Sequence, residues 1–279
     1  MSFSVELERA CELAREAGRA LGEHYQMAVD RDGDPGSGEA ALDVAREIIA
    51  AGLRKDFPED ALLLKGQAAP SDPSESGRIW MVDPLDGIRE FAARNGEFSV
   101  LIGLVVGGEP VAGAIYQPTT DLLHRAARGE GAEVERQGER SPLSVSEVST
   151  TDAMVLVASR SHRDTRVDDA RYLLGIGEWI LSGSVGIKIG LIAERRCDVY
   201  VHPSGHTKVW DTCAPEVILV EAGGQMTDCY GAALRYDRGR LLHHRGIVAS
   251  NGQVHEEVVD AAARAIRGEL DDYDDEDEE

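Results

Sequence analysis

The chain has 279 residues, is 42% hydrophobic and carries a formal net charge of -22 from 29 basic and 51 acidic side chains, a composition that excludes an unfolded chain and suits one large α/β unit or about two domains. The acidic surplus argues against a nucleic acid polymer as partner, because such proteins need a Lys/Arg stripe to displace counterions, but it leaves room for a small phosphorylated ligand handled through metal ions. No apolar run approaches the roughly 20 residues of a membrane span and the start lacks the regions of a signal peptide, so no membrane is expected and a cytoplasmic location is.

Residues 5–21 place Leu7, Ala10, Leu13, Ala14, Ala17 and Leu21 at helical spacing, and residues 39–53 repeat the pattern with Val44, Ile48 and Leu53. Turn chemistry separates these helices at 32–38 and recurs at 68–77. Short apolar runs follow at 79–82, 98–106, 110–117 and, more weakly, 122–125, which predict a mainly antiparallel sheet with a turn at Gly107-Gly108. After a polar stretch at 130–151, strands are predicted at 154–158, 178–181, 198–201, 224–227 and 246–249, alternating with helices near 164–174, 185–195, 210–222 and 253–268.

The expected organisation is an α+β half over 1–145, an α/β half over 146–268, and an acidic tail over 269–279. From Glu269 onward there are nine acidic residues and no basic one, so taking nine from twenty-two leaves -13 for the rest. Such a block repels itself and has no apolar face, so it is read as a solvated tail. Cys11, Cys197, Cys213 and Cys229 form no C-x-x-C pair and are expected as reduced thiols in apolar settings.

The segment Ile79-Trp80-Met81-Val82-Asp83-Pro84-Leu85-Asp86-Gly87 runs an apolar strand into two carboxylates and a glycine that can open a helix. Hard oxygen ligands converging there suit Mg²⁺, and amides at a following helix start can hold a phosphate oxygen. A plain surface turn is the competing reading, since Asp-Pro and Asp-Gly are ordinary turn choices. A third carboxylate, Asp211, stands at the start of a helix, where it is either a cap or a partner to Asp83 and Asp86. Metal-assisted phosphoryl transfer needs such clustered anions.

Asp83-Pro84-Leu85-Asp86-Gly87, Phe98-Ser99-Val100 with Gly108-Glu109-Pro110-Val111-Ala112-Gly113, and Trp210-Asp211 with Glu221-Ala222-Gly223-Gly224 together resemble the inositol monophosphatase superfamily of Mg²⁺-dependent, lithium-sensitive phosphomonoesterases. Ser159-Arg160-Ser161-His162 and Lys208-Val209-Trp210-Asp211-Thr212-Cys213-Ala214-Pro215 are most similar to its 3'(2'),5'-bisphosphate nucleotidases, which convert 3'-phosphoadenosine 5'-phosphate from sulfate assimilation to AMP and phosphate; inositol monophosphate is the alternative substrate. The resemblance implies an α-β-α-β-α layered sandwich, an active site between the halves, a Mg cofactor and a homodimer. It implies Asp83, Asp86 and Asp211 as catalytic carboxylates that ligate metal with the Leu85 carbonyl, and Gly87 and Ile88 amides as phosphate binders. Gly183, Ser184, Lys188, Arg160 and Lys208 are implied near the nucleoside or second phosphate.

Three departures accompany this resemblance. Lys65 and Gly66 stand where the family carries a metal-binding Glu-Glu pair, Ile88 replaces a threonine that orients the attacking water, and Gly36 to Ala41 replaces an acidic string. A glutamate exchanged for lysine changes the local charge by about two and opposes a divalent cation. Two readings follow: a weakened phosphatase in which Glu39, Asp43 or Glu90 substitutes for the missing acid, or a catalytically silent member that binds a phosphorylated nucleotide or a protein partner, with the Lys65 ammonium in a metal position.

Overall fold

The computed structural model describes residues 2–30, 37–67, 77–236 and 241–270. The acidic block from 271 onward therefore lies outside the described residues, as do parts of the turns at 31–36 and 68–76. Two helices open the chain, α1 (Ser4–Asp30) and α2 (Ser37–Asp56), followed by β1 (Ala61–Leu64), β2 (Arg78–Asp86), a short α3 (Ile88–Ala93), β3 (Ser99–Val106), β4 (Glu109–Gln117), β5 (Leu122–Ala127), β6 (Gly131–Arg136) and β7 (Glu139–Pro142). The remainder runs β8 (Val155–Ser159), α4 (Thr165–Leu173), β9 (Glu178–Ser182), α5 (Val185–Ala193), β10 (Val199–His202), α6 (Val209–Glu221), β11 (Gln225–Thr227), β12 (Ile247–Ser250) and α7 (His255–Arg267). Among the described residues no helix is long and apolar enough to cross a membrane.

The first sheet has seven strands in chain order, antiparallel throughout except for the parallel β1–β2 pair; the second orders its five strands β11-β12-β10-β8-β9 with mixed directions. Both faces of the first sheet are covered. Trp80, Val82, Ile102 and Leu104 pack toward α1 and α2, while Met81, Leu101 and Val105 join a central core with residues of α5 and α6. Successive strand side chains alternate faces, which is why these strands read as continuous apolar runs. A third core lies between the second sheet and α4 and α7, where Leu156, Val199 and Val248 meet Val258 and Ala262. The order of layers is thus α-β-α-β-α, as expected.

The polar stretch at 130–151 differs from expectation: it contains the β6–β7 hairpin. Only Ala132 and Val134 are buried in β6 and none of β7 is, so its period-two signal is too short and too charged to stand out in sequence. Glycine sets how closely α6 approaches the first sheet. Gly103 and Gly113 are cross-strand partners, and a Cβ at Gly113 would come within 2.8 Å of the Ala214 Cα and carbonyl oxygen. With no side chain in the way, α6 lies directly on β3 and β4 and delivers its first turn, with Asp211, to the end of β2.

Candidate active site

In a regular strand, residues three apart point to opposite faces, so Asp83 and Asp86 would diverge. A bulge removes this conflict. Asp83 pairs with Leu101 and Asp86 with Ser99, three steps on β2 against two on β3, and the extra residue puts both carboxylates on the side of the sheet that faces α5 and α6. Gly87 follows with φ 91°, and a Cβ there would lie 2.7 Å from the Glu97 carbonyl oxygen, so only glycine permits the chain to turn into α3 at this point.

Each expected carboxylate already has protein partners. Asp83, fully buried, accepts the Leu85 amide on Oδ1 at 3.0 Å and the Lys65 ammonium on Oδ2 at 2.8 Å. Asp86 Oδ2 accepts the Ser184 hydroxyl at 2.6 Å and the Gly186 amide at 3.0 Å, at the start of α5. Asp211 Oδ2 reaches back to the Lys208 amide at 2.8 Å, an N-terminal cap that also aims the side chain. Burial and the neighbouring Asp83 and Asp86 push the Asp211 carboxyl well above the usual range. Burial likewise raises Asp83, against the pull of Lys65.

Lys65 decides the character of this corner. Leu64 pairs with Val82 and the Lys65 amide bonds the Val82 carbonyl, so the side chain leaves the end of β1 directly beside Asp83. Its Nζ donates to both Asp83 Oδ2 and the Leu85 carbonyl, each at 2.8 Å. Burial alone would push this ammonium down, but Asp83, Asp211 and Asp86 together hold it above its ordinary value. Magnesium was expected on Asp83, the Leu85 carbonyl, Asp86 and Asp211, and the residues present do not fit an ion shared by the first two. Among the described residues no group of three or more His, Cys, Asp or Glu is disposed to hold a metal.

These elements border a cavity of about 930 Å³. Lys65, Gly66, Asp86, Gly87, Ile88 and Glu90 line it from the first half, and Ser161, His162, Gly183, Ser184, Lys188, Lys208 and Asp211 from the second. Among the described residues five Lys or Arg and four Asp or Glu side chains border it, so the acidic excess of the whole chain is absent there. Lys188 is buried, donates to the Gly183 and Ser184 carbonyls at 3.1 and 2.8 Å, and sits 5.1 Å from the Tyr200 ring centroid. Burial lowers it to about 8 despite Asp86, Glu90 and Glu97 nearby.

Other expected residues are placed elsewhere. Arg160 does not line the cavity: its guanidinium makes a two-pronged pair with Glu97 at 2.7 and 2.6 Å and a bond to the Leu181 carbonyl. Of the three candidate substitutes for the missing glutamate, exposed Glu39 and Asp43 stay outside it, Asp43 pairing with Arg46, whereas buried Glu90 lines it and accepts the Ser161 hydroxyl. Ile88 is 37% exposed and presents no hydroxyl. His162, His202, His206, Tyr200 and Trp210 also border the cavity. The sequence gives no spacing signal for the histidines, and Tyr200 reads there as packing; β10 and the loop after it bring in Tyr200, His202 and His206, and the loop after β8 brings in His162. Burial pushes His202 down to about 4, so it is neutral at pH 7 and can donate or accept a hydrogen bond.

Residues 4–267 match the inositol monophosphatase family. The chain belongs to this family. It is 36% identical over 235 residues to the 3'(2'),5'-bisphosphate nucleotidase CysQ of Salmonella typhimurium and 34% identical to that of Escherichia coli strain K12, in each case covering 82% of this chain and 93% of the relative. The solved inositol monophosphatase from Anabaena superposes with a TM-score of 0.76 at 26% identity, over 95% of this chain and 97% of that one. An inositol monophosphatase from Zymomonas mobilis gives 0.78 at 22% identity, over 94% and 99%, and shares the fold.

Proposed function

We propose that the protein is a phosphomonoesterase of the 3'(2'),5'-bisphosphate nucleotidase kind, acting on 3'-phosphoadenosine 5'-phosphate to give AMP and phosphate. The observation that carries this reading is the cavity: three of the four lysines in the chain, Lys65, Lys188 and Lys208, line it, beside the Asp86 to Ile88 turn, in a protein whose net charge is -22. Cations gathered in one cleft of an acidic chain favour an anionic ligand. Its volume accommodates a nucleotide-sized molecule. In this reading the Gly87 and Ile88 amides face the scissile phosphate, and Lys188 and Lys208 supply positive charge toward the nucleoside end. A magnesium requirement is part of the proposal, with Asp86 and Asp211 as the ligands left by the engagement of Asp83 with Lys65.

Phosphate release from 3'-phosphoadenosine 5'-phosphate and from inositol 1-phosphate, with and without Mg²⁺, tests the proposal. Turnover of the bisphosphate in excess of the inositol ester is expected; absence of turnover for both refutes it. A second reading, a silent member that binds a phosphorylated nucleotide, is favoured by one specific pair of features: the Lys65 bridge to Asp83 and Leu85, and Ile88 in place of a hydroxyl. It predicts nucleotide binding without phosphate release.

A further inference from the structure

An ammonium group carries three N–H donors and no acceptor. Two of those on Lys65 are committed to Asp83 Oδ2 and the Leu85 carbonyl at 2.8 Å each, and the third has no partner among the described residues. The side chain keeps 27% of its surface accessible and borders the cavity, so the remaining donor has a ligand space to serve. Its position is fixed by backbone pairing, because the Lys65 amide bonds the Val82 carbonyl one residue before Asp83. A Mg²⁺ ion needs oxygen ligands at about 2.0–2.1 Å in near-octahedral array, and one placed on Asp83 and the Leu85 carbonyl would stand in contact with a second cation.

We propose that Lys65 is a resident cation that binds a phosphate oxygen of the ligand directly, in the position where a divalent ion would otherwise bridge Asp83 and the Leu85 carbonyl. The inference deepens the phosphatase reading and rests on it for the phosphorylated nature of the ligand. Asp83 is then a positioning residue: it accepts one N–H and leaves the ammonium oriented toward the cavity. The phosphate contact at this point is charge-assisted and requires no metal.

The test is binding of inorganic phosphate to the full chain in excess EDTA, by calorimetry. Saturable binding is expected for the native protein, weaker by roughly tenfold or more in Lys65→Met, the scale of one hydrogen bond to a charged group, and partly retained in Lys65→Arg. Binding that appears only when Mg²⁺ is added, or a folded Lys65→Met protein that binds as tightly as the native one, overturns the proposal. A measurement that needs no variant covers the case in which Lys65→Met does not fold. With nitrogen-labelled lysine only four side-chain signals exist, and the Lys65 ammonium signal is expected to shift on phosphate addition in EDTA; an unmoved signal overturns the proposal as well. Phosphate capture in EDTA without nucleotide turnover refutes the enzyme reading and leaves this role intact, whereas turnover without such capture does the reverse.

Discussion

Lys65→Glu combined with Ile88→Thr introduces a carboxylate and a hydroxyl at two positions that line the cavity, and its consequences follow from the geometry around Asp83. The exchange removes the cation that now bonds Asp83 Oδ2 at 2.8 Å and puts a carboxylate beside a fully buried one. Two like charges about 4 Å apart at an effective dielectric of about 20 repel by about 4 kcal/mol. For a chain of this size that corresponds to a melting point lower by roughly 7 °C in metal-free buffer. A divalent ion held by the two carboxylates would cancel the repulsion, so millimolar Mg²⁺ is expected to recover most of the loss in the double variant and to raise its melting point by more than that of the native protein. With a glutamate and a hydroxyl available to orient water, Mg²⁺-dependent phosphate release is expected to rise by about 10²-fold or more, the lower end of general acid-base contributions. Thermal melts in EDTA and in Mg²⁺, with a phosphate-release assay, measure both effects. A variant that melts like the native protein in EDTA, ignores Mg²⁺ and turns over at an unchanged rate would refute the placement of residue 65 against Asp83.

Gly113→Ala is expected to destabilise the fold by about 1–3 kcal/mol, because the new methyl meets the Ala214 backbone at 2.8 Å and must push α6 off β3 and β4; an unchanged urea midpoint would contradict the close approach. His255 is buried, bonds the Thr227 and Ser250 hydroxyls at 2.9 and 2.8 Å, and is pushed by burial from 6.5 to about 4. Its folded pKa is depressed, so its contribution is complete above about pH 6.5 and is lost toward pH 4, by up to about 3 kcal/mol. The stability difference between the native protein and His255→Phe is therefore expected to shrink on acidification through that window; a difference that grows would refute the neutral assignment. Arg160→Ala is expected to cost about 1 kcal/mol of stability through the lost Glu97 pair and to leave phosphate affinity unchanged. A loss of affinity comparable to that of Lys65→Met would show the guanidinium reaching the cavity.

Much of this protein is determined by its sequence alone. The periodicity of α1 and α2, the apolar runs of β2 to β4 and the alternation of strands and helices after residue 154 reflect which faces must be buried, and burial is a local property of side-chain order. The Asp83-Pro84-Leu85-Asp86-Gly87 string, Asp211 and Lys65 stand out in the chain by charge and turn chemistry, and the fold brings them together at one corner of the cavity. The β6–β7 hairpin does not stand out in this way because an exposed, charged edge buries too little to leave a pattern. What the tertiary structure decided depends on contacts between segments far apart in the chain. A one-residue bulge against β3 turns Asp83 and Asp86 to one side, and parallel pairing of β1 with β2 carries Lys65 onto Asp83 and the Leu85 carbonyl. Glu97 draws Arg160 away from the cavity while Tyr200, His202 and His206 are carried into it. Charge at the site is set by distances of a few ångströms across such contacts, and no spacing along the chain encodes them.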